Sequence, residues 1–306
     1  MTLRRALFAA FIAASVVVTA CGGAGSGGGA KPAVIVGSTN FYEQLTLGEL
    51  YSQILEANGY TVTRKFNLGS REIVEPAIES GQIDIDAEYL ATLLAFVDKD
   101  GAVAKPSTDP KATQTGLQKA LDPKALTVLD YAAATDQNGF VVTQATATSR
   151  NLKKISDLVP VAKDMVLGGP AECPTRPFCA LGLKNTYGIT FKDFKALDTG
   201  GPLTITALDG KLIDVGLLFT SDPSIVAKNF VLLDDDKHLQ LADNIAPVVR
   251  NALVQKDDGT IKRLLNSISA KLTQGELNDM NKQVAVDKAD SKVVAAAWLK
   301  KQGLIK

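Results

Sequence analysis

The sequence contains little histidine, little cysteine and no excess charge of either sign. Its 306 residues include one histidine and three cysteines, and 33 basic side chains balance 33 acidic ones. A single histidine argues against a histidine-rich metal site and makes a Ser-His-Asp triad hard to assemble. A formal net charge of zero supplies no basic field for binding nucleic acid. We therefore expect no metal, no other cofactor and no nucleic-acid partner.

The N-terminal apolar run is too short to span a membrane. It covers the 15 uncharged residues 6–20 and follows Arg4 and Arg5, whereas a spanning helix needs about 20 apolar residues. Basic residues before a short apolar run are typical of a secretory signal peptide. The run ends Val-Thr-Ala-Cys, which resembles the lipobox of bacterial lipoproteins. Cleavage after residue 20 and lipidation of Cys21 would hold an exported protein on the outer face of the cytoplasmic membrane, by the lipid alone. A soluble secreted protein is the alternative.

A glycine-rich segment follows the predicted anchor. Residues 22–30 read G-G-A-G-S-G-G-G-A, a composition that behaves as a flexible coil. We therefore assign residues 21–32 to the lipid anchor and a flexible tether.

The two remaining cysteines are Cys173 and Cys179, with five residues between them, in a chain that we expect to be exported. This spacing differs from that of zinc or redox motifs, which place two residues between the cysteines, and disulfides persist outside the cytoplasm. Pro174 and Pro177 keep the segment out of a helix. A disulfide-closed loop that carries Arg176 is therefore favoured over a metal clip.

The rest of the chain alternates between predicted strands and helices, which favours an α/β fold with mostly parallel sheets. We divide it into lobe 1 (33–135 and 244–306) and lobe 2 (136–243), joined by two crossings that flank a ligand cleft. Three closing helices with no new strand indicate that the C-terminus packs back on lobe 1. The predicted strands are 33–36, 61–66, 83–85, 140–143, 165–167, 196–197, 214–219, 230–233 and 246–250, and the predicted helices are 44–56, 72–80, 180–187, 203–210, 259–271, 273–286 and 288–301.

Five stretches, in order along the chain, resemble one family. They are G-S-T-N-F-Y-E-Q (37–44), G-Q-I-D-I-D-A-E-Y-L-A-T (81–92), L-G-G-P-A-E-C-P-T-R-P-F (167–178), L-L-F-T-S-D (217–222) and L-L-D-D-D-K (232–237). The family is the ProX/OpuBC-like substrate-binding lipoproteins of osmoprotectant ABC importers, here of the actinobacterial type, which capture glycine betaine, choline or carnitine. The resemblance implies a type II periplasmic-binding fold, a small-molecule ligand and an ABC permease as partner. We expect a monomer.

A quaternary ammonium has no N–H group to donate, so aromatic faces must select it through cation–π attraction. By resemblance, Tyr89 and Phe219 are cage aromatics, Thr92 and Arg176 bind a ligand carboxylate, and Asp136 is the hinge aspartate. Three departures from the family stand out. Thr39 replaces a common lysine, Asn138 replaces a tyrosine, and no aromatic residue occurs near Leu203 and Thr204, where the family often has another cage tyrosine. The expected ligand-binding residues are Thr39, Asn40, Tyr89, Thr92, Asp136, Asn138, Arg176, Phe219 and Thr220.

The depleted cage leaves two alternatives open. A larger or more polar ligand could be held partly by Asn40, Asn138 and Arg176, with the missing rings supplied by Phe41, Tyr42 or Phe178. The second alternative is a surface lipoprotein without a transport role. No G-x-S-x-G, H-E-x-x-H, Walker or dinucleotide motif is present, so we do not expect an enzyme.

Overall fold

The structure, a computed structural model, describes residues 31–306. The predicted signal peptide of residues 1–20, the anchor Cys21 and the tether as far as residue 30 lie outside the described residues. Within residues 31–306, no helix combines the length and the apolar character needed to cross a membrane.

Within residues 31–306, ten strands form two five-stranded sheets. The first sheet has the order β2-β1-β3-β10-β4 and the second has the order β7-β6-β8-β5-β9. The strands are β1 (Val34–Gly37), β2 (Val62–Lys65), β3 (Ile85–Tyr89), β4 (Leu126–Val128), β5 (Asn138–Thr143), β6 (Val166–Pro170), β7 (Asp193–Leu197), β8 (Val215–Phe219), β9 (Phe230–Leu232) and β10 (Ile245–Arg250).

In the part of the chain that the structure describes, twelve α-helices cover the sheets and connect the strands. They are α1 (Tyr42–Ala57), α2 (Arg71–Glu79), α3 (Leu90–Val97), α4 (Pro110–Leu121), α5 (Gln144–Arg150), α6 (Ala180–Gly182), α7 (Pro202–Asp209), α8 (Ser224–Ala227), α9 (Asn251–Val254), α10 (Thr260–Ser269), α11 (Gln274–Ala285) and α12 (Ser291–Lys301). A π-helical turn, Leu183–Tyr187, extends α6. The sequence patterns did not identify α3, α4, α5, α8, α9 or β4.

The two sheets are mixed, so the expected alternation holds only in part. Four of the five strands in each sheet run in one direction, but β10 and β5 are antiparallel to both of their neighbours. Each of these reversed strands is the first one after the chain has passed from one sheet to the other. The crossovers between consecutive strands predict parallel pairs, but a strand that arrives from another sheet is not bound by them.

The chain passes between the sheets at two adjacent points. The outgoing segment contains Thr135 and Asp136, and the returning segment contains Asp243 and Asn244. Thr135 pairs with Asn244 in an antiparallel bridge, and the backbone N–H of Asp136 donates to the carbonyl oxygen of Asp243 over 3.1 Å. The two connections therefore lie side by side.

The C-terminal helices pack on the first sheet, as the sequence predicted. Trp298 and Leu299 of α12 are buried in one apolar cluster with Leu47 and Leu50 of α1. The indole N–H of Trp298 donates to Glu276 over 2.8 Å. The last segment of the chain therefore completes the core that the first segment begins.

The predicted disulfide is present between Cys173 and Cys179, whose Cα atoms are 5.2 Å apart. Both cysteines are buried. The loop that they close begins three residues after β6 and carries Arg176, which therefore projects from a fixed turn.

Candidate ligand-binding cleft

A cavity of about 730 Å³ lies between the two sheets, where several strands end. Eight of the nine residues expected to bind a ligand line it. Thr220 does not, because its hydroxyl accepts a hydrogen bond from the backbone of Gln137 at 3.0 Å. It follows Phe219, and successive side chains of an extended segment point to opposite sides. The eight are Thr39, Asn40, Tyr89, Thr92, Asp136, Asn138, Arg176 and Phe219.

Two equivalent strands carry the aromatic residues of the cavity floor. Tyr89 is the last residue of β3 and Phe219 is the last residue of β8. An Ile-Asp pair precedes each strand. Asp84 accepts the backbone N–H of Ile35 at 2.9 Å, and Asp214 accepts that of Val166 at 2.8 Å. The two sheets therefore present an aromatic side chain to the cavity by the same local construction.

Phe41 joins these two rings into a cluster. Its ring centroid lies 4.7 Å from that of Phe219, with the planes tilted by 33°, and 6.4 Å from that of Tyr89, with the planes 24° apart. Phe41 immediately precedes α1, and its backbone is extended. We call Phe41, Tyr89 and Phe219 the aromatic cluster. Its rings pack against one another, so a cation would bind on their outer faces.

Two further aromatic residues line the cavity. Phe178 belongs to the disulfide loop, and Phe96 lies on α3. The sequence analysis missed Phe96, although its spacing of four residues from Thr92 places both on one helix face. Tyr42, in contrast, does not line the cavity, and its hydroxyl is buried. Phenylalanines therefore supply two further aromatic side chains to the cavity.

A buried carboxylate lies behind the aromatic cluster. The phenol of Tyr89 donates to Oε1 of Glu43 over 2.6 Å. Ser221 and Asn281 donate to Oε2 over 2.8 and 2.5 Å. Burial raises the pKa of Glu43, and these hydrogen bonds act in the opposite direction. Glu43 therefore links the first sheet, the segment after β8 and helix α11. No sequence motif identified it.

Two more buried carboxyl groups lie at the chain crossings and line the cavity. Asp136 accepts the backbone N–H of Ser221 at 3.0 Å, and Asp243 accepts that of Thr92 at 2.8 Å. Burial and the neighbouring charge of Glu43 raise the pKa of Asp136. Burial raises the pKa of Asp243 to about 7. Both groups are thus poised to respond to a nearby cation.

Arg71 is buried in the wall beside them. Its Nε and Nη2 atoms donate to the two carboxylate oxygens of Glu88 over 2.8 and 2.6 Å. Nη2 also donates to the hydroxyl of Thr92 over 3.0 Å. The Ser70 side chain, which precedes α2, makes no capping hydrogen bond to that helix. Arg71 orients Thr92 through the hydrogen bond to its hydroxyl.

Arg176 bridges the mouth of the cavity. Its Nη2 atom lies 2.7 Å from Oε2 of Glu72, on α2, and 3.3 Å from Oε1 of Glu172. The first of these ion pairs spans the cleft, because Arg176 follows β6 of the second sheet and α2 belongs to the first. Its Nε atom is buried and has no hydrogen-bond partner among residues 31–306. The guanidinium thus already has two carboxylate partners.

Several neutral polar groups also face the cavity. The amide of Asn138 donates to the carbonyl oxygen of Phe178 over 3.0 Å. Thr39 Oγ1 and Gln44 Oε1 are buried without a hydrogen-bond partner in the described part of the chain. They therefore offer bonding capacity to a ligand. Gln44 was not among the predicted residues.

The described chain shows no constellation for metal binding. Among residues 31–306, no group of three or more His, Cys, Asp or Glu side chains is placed to hold a metal ion.

A family model described as the substrate binding domain of ABC-type glycine betaine transport systems matches residues 32–301. The chain belongs to this family. Its members are extracytoplasmic binding proteins that pass a small solute to a permease. The residues that suggested this assignment lie in both sheets and around the cavity. The family assignment and the two-sheet architecture therefore agree.

Individual relatives span nearly the whole chain. The glycine betaine-binding protein YehZ of Escherichia coli K12 is 28% identical over 89% of this chain and 92% of its own length. The carnitine transport binding protein OpuCC of Listeria monocytogenes is 25% identical over 97% of this chain and 96% of its own length. A crystal structure of a glycine betaine/carnitine/choline ABC transporter protein superposes with a TM-score of 0.67 at 26% identity, over 89% of this chain and all of that one. The solved structures that are similar to this chain have the type II periplasmic-binding fold.

Proposed function

We propose that this protein captures a quaternary-ammonium osmoprotectant, such as glycine betaine, choline or carnitine, and delivers it to an ABC permease. The observation that carries the proposal is the aromatic cluster at the cavity floor, backed by the buried carboxylate of Glu43. Aromatic faces attract a quaternary ammonium by about 0.5–2 kcal/mol per ring. The named ligands of YehZ and OpuCC belong to the same chemical class.

Within this site, the aromatic cluster would receive the ammonium head. The polar end of the ligand would face Thr92, Arg176 and Asn138, and the unpartnered oxygens of Thr39 and Gln44 would complete its hydrogen bonds. Asn40 stands at the rim, and Thr220 acts indirectly by fixing the backbone next to Asp136.

Ligand binding would close lobe 1 (33–135 and 244–306) on lobe 2 (136–243). The adjacent crossings at Asp136 and Asp243 form the hinge, and the permease would recognise the closed form. We expect the protein to be a monomer that binds its solute without chemical change. Lipid on Cys21 would keep it at the outer face of the cytoplasmic membrane.

A thermal-shift screen tests the proposal. The panel is glycine betaine, choline, carnitine, proline and aromatic metabolites. A ligand at about 100 times its dissociation constant adds about 2.7 kcal/mol to the stability of the folded state, so a binder raises the melting temperature. Absence of any shift across the panel would remove the support for a transport role.

A second candidate is a larger ligand of the same class. The cavity of about 730 Å³ falls within the range of about 300–1,000 Å³ typical of drug-sized ligands, and glycine betaine is much smaller. Rings on Phe96 and Phe178, outside the aromatic cluster, would contact the additional part of such a ligand. The aromatic metabolites in the panel distinguish the two candidates.

A further inference from the structure

The positive groups of the cavity are largely neutralised by the protein itself. Arg71 is bound by both oxygens of Glu88. Arg176 is shared between Glu72 and Glu172. The third cation, Lys99, is exposed, and its Nζ lies 5.4 Å from the centroid of the Phe96 ring. Both guanidinium groups therefore already have carboxylate partners, and of the two only Arg176 keeps a buried N–H, at Nε, without a partner among residues 31–306.

The buried carboxyl groups, in contrast, have only neutral donors. Glu43 receives hydrogen bonds from a phenol, a hydroxyl and an amide, Asp136 from a backbone N–H and a hydroxyl, and Asp243 from a backbone N–H. Within the described range, none of the three forms an ion pair with a lysine or arginine. A buried carboxylate without a cation is costly, and a cationic ligand would relieve that cost.

The balance of acidic and basic side chains that line the cavity also favours a cationic ligand. Five carboxyl side chains line the cavity, namely Glu72, Glu88, Asp136, Glu172 and Asp243, against the three cations already described. The two carboxyl groups at the crossings, Asp136 and Asp243, have raised pKa values in the free protein, and an ammonium head bound beside them at the aromatic cluster would favour their ionised forms. The cavity therefore complements a cation better than a zwitterion.

We propose that the physiological ligand is a net cation, with a quaternary-ammonium head and no carboxylate, so that choline matches the site and glycine betaine does not. The inference rests on the proposed function and narrows it. Choline and glycine betaine share the trimethylammonium group and differ mainly in a terminal hydroxyl or carboxylate. A carboxylate that reached the open Nε of Arg176 would lie beside the like charges of Glu72 and Glu172, which already bind Nη2, whereas a hydroxyl carries no charge for them to repel.

Isothermal titration calorimetry of the purified protein with each compound tests this. We expect choline to bind at least about tenfold more tightly than glycine betaine. Equal or tighter binding of glycine betaine would overturn the inference and leave the proposed function standing. If choline, glycine betaine and carnitine all fail to bind at about 10 mM, the proposed function itself fails.

Two variants locate the charges responsible. Asp136→Asn keeps the side-chain shape and should weaken choline about tenfold while changing glycine betaine less. Circular dichroism checks that this buried variant is folded. The double variant Glu72→Gln with Glu172→Gln changes only partly exposed groups and frees Arg176, so it should improve glycine betaine about tenfold relative to choline. An unchanged ratio in the double variant would contradict the role given to these carboxylates.

Discussion

The hydroxyl of Tyr89 lies 2.6 Å from Oε1 of Glu43, and both groups are buried behind the cavity. Tyr89→Phe keeps the ring but leaves the carboxylate with one donor fewer. We expect the free energy of unfolding to fall by about 1–3 kcal/mol, the usual cost of an unsatisfied buried group. Urea denaturation measures this loss.

Substitutions of Tyr89 also distinguish its role in protein stability from its role in ligand binding. Choline affinity should change less than about threefold in Tyr89→Phe, because the aromatic face remains, and should fall by about 0.5–2 kcal/mol in Tyr89→Leu. Calorimetric titration compares the two variants. Equal affinities in Tyr89→Leu and Tyr89→Phe would show that this ring does not contact the ligand.

Arg176→Ala should distinguish ligands that carry an acid from those that do not. We expect glycine betaine to lose about 2 kcal/mol of binding free energy, the lower end of the range for a buried charge partner, because 27% of the side chain is exposed. Choline should be nearly unaffected. Arg150→Ala, an exposed arginine on α5, is the matched control. A similar loss for both ligands in Arg176→Ala would indicate a general effect on the cleft.

The disulfide should stabilise the protein modestly. Because it closes a short loop, replacement of Cys173 and Cys179 by serine should lower the free energy of unfolding by about 2 kcal/mol. Denaturation with and without a thiol reductant measures the effect. The wild-type protein should become less stable in the reductant, whereas the serine variant should not respond. A response of the serine variant would trace the effect to something other than this bond.

Choline affinity should rise with pH. Burial raises the pKa of Asp243 to about 7, so the free protein holds a proton there below neutrality. A bound cation favours the ionised form, and binding below that pKa must release the proton. We expect affinity to increase about tenfold from pH 6 to pH 8. Titrations across this range test the slope, and Asp243→Asn should flatten it.

The same ionisation should affect the stability of the free protein with the opposite sign. Between the ordinary aspartate pKa and about 7, the folded state binds the Asp243 proton and the unfolded state does not. Stability from this group is therefore present at low pH and is lost as pH rises toward neutrality. Denaturation curves of the ligand-free protein and of Asp243→Asn, compared at both ends of this range, isolate the contribution. Parallel pH profiles would contradict it.

The sequence predicted the architecture well because apolar periodicity reflects the burial of each element. It missed β4, a strand of three residues, and it did not foresee that β10 would enter the first sheet between β3 and β4. Both depend on pairing between segments more than 100 residues apart, which no local pattern records. The C-terminal helices were predictable because their apolar stripes have no other surface to cover.

The site residues, too, were predictable where a local sequence pattern identifies them and not where their role depends on residues distant in the chain. Tyr89 and Phe219 could be identified because each ends a recognisable strand. Glu43 and Arg71 could not, since their importance comes from partners such as Ser221 and Glu88 that lie far away in the chain. Thr220 was expected in the cavity because it neighbours Phe219. Side chains alternate between the two faces of an extended segment, but the sequence alone does not show which face meets the cavity. The Thr220 side chain lies on the face away from it.

The position of β10 bears on the order in which the molecule can assemble during synthesis. The second sheet is complete once Leu232 has been made, whereas the first cannot join β4 to its other strands until residues 245–250 arrive. Helix α12, which seals the core over α1, comes later still. In a nascent chain, the second sheet would therefore be complete while the first sheet and its core were still incomplete. The apolar strands of the first sheet would stay exposed until translation ends.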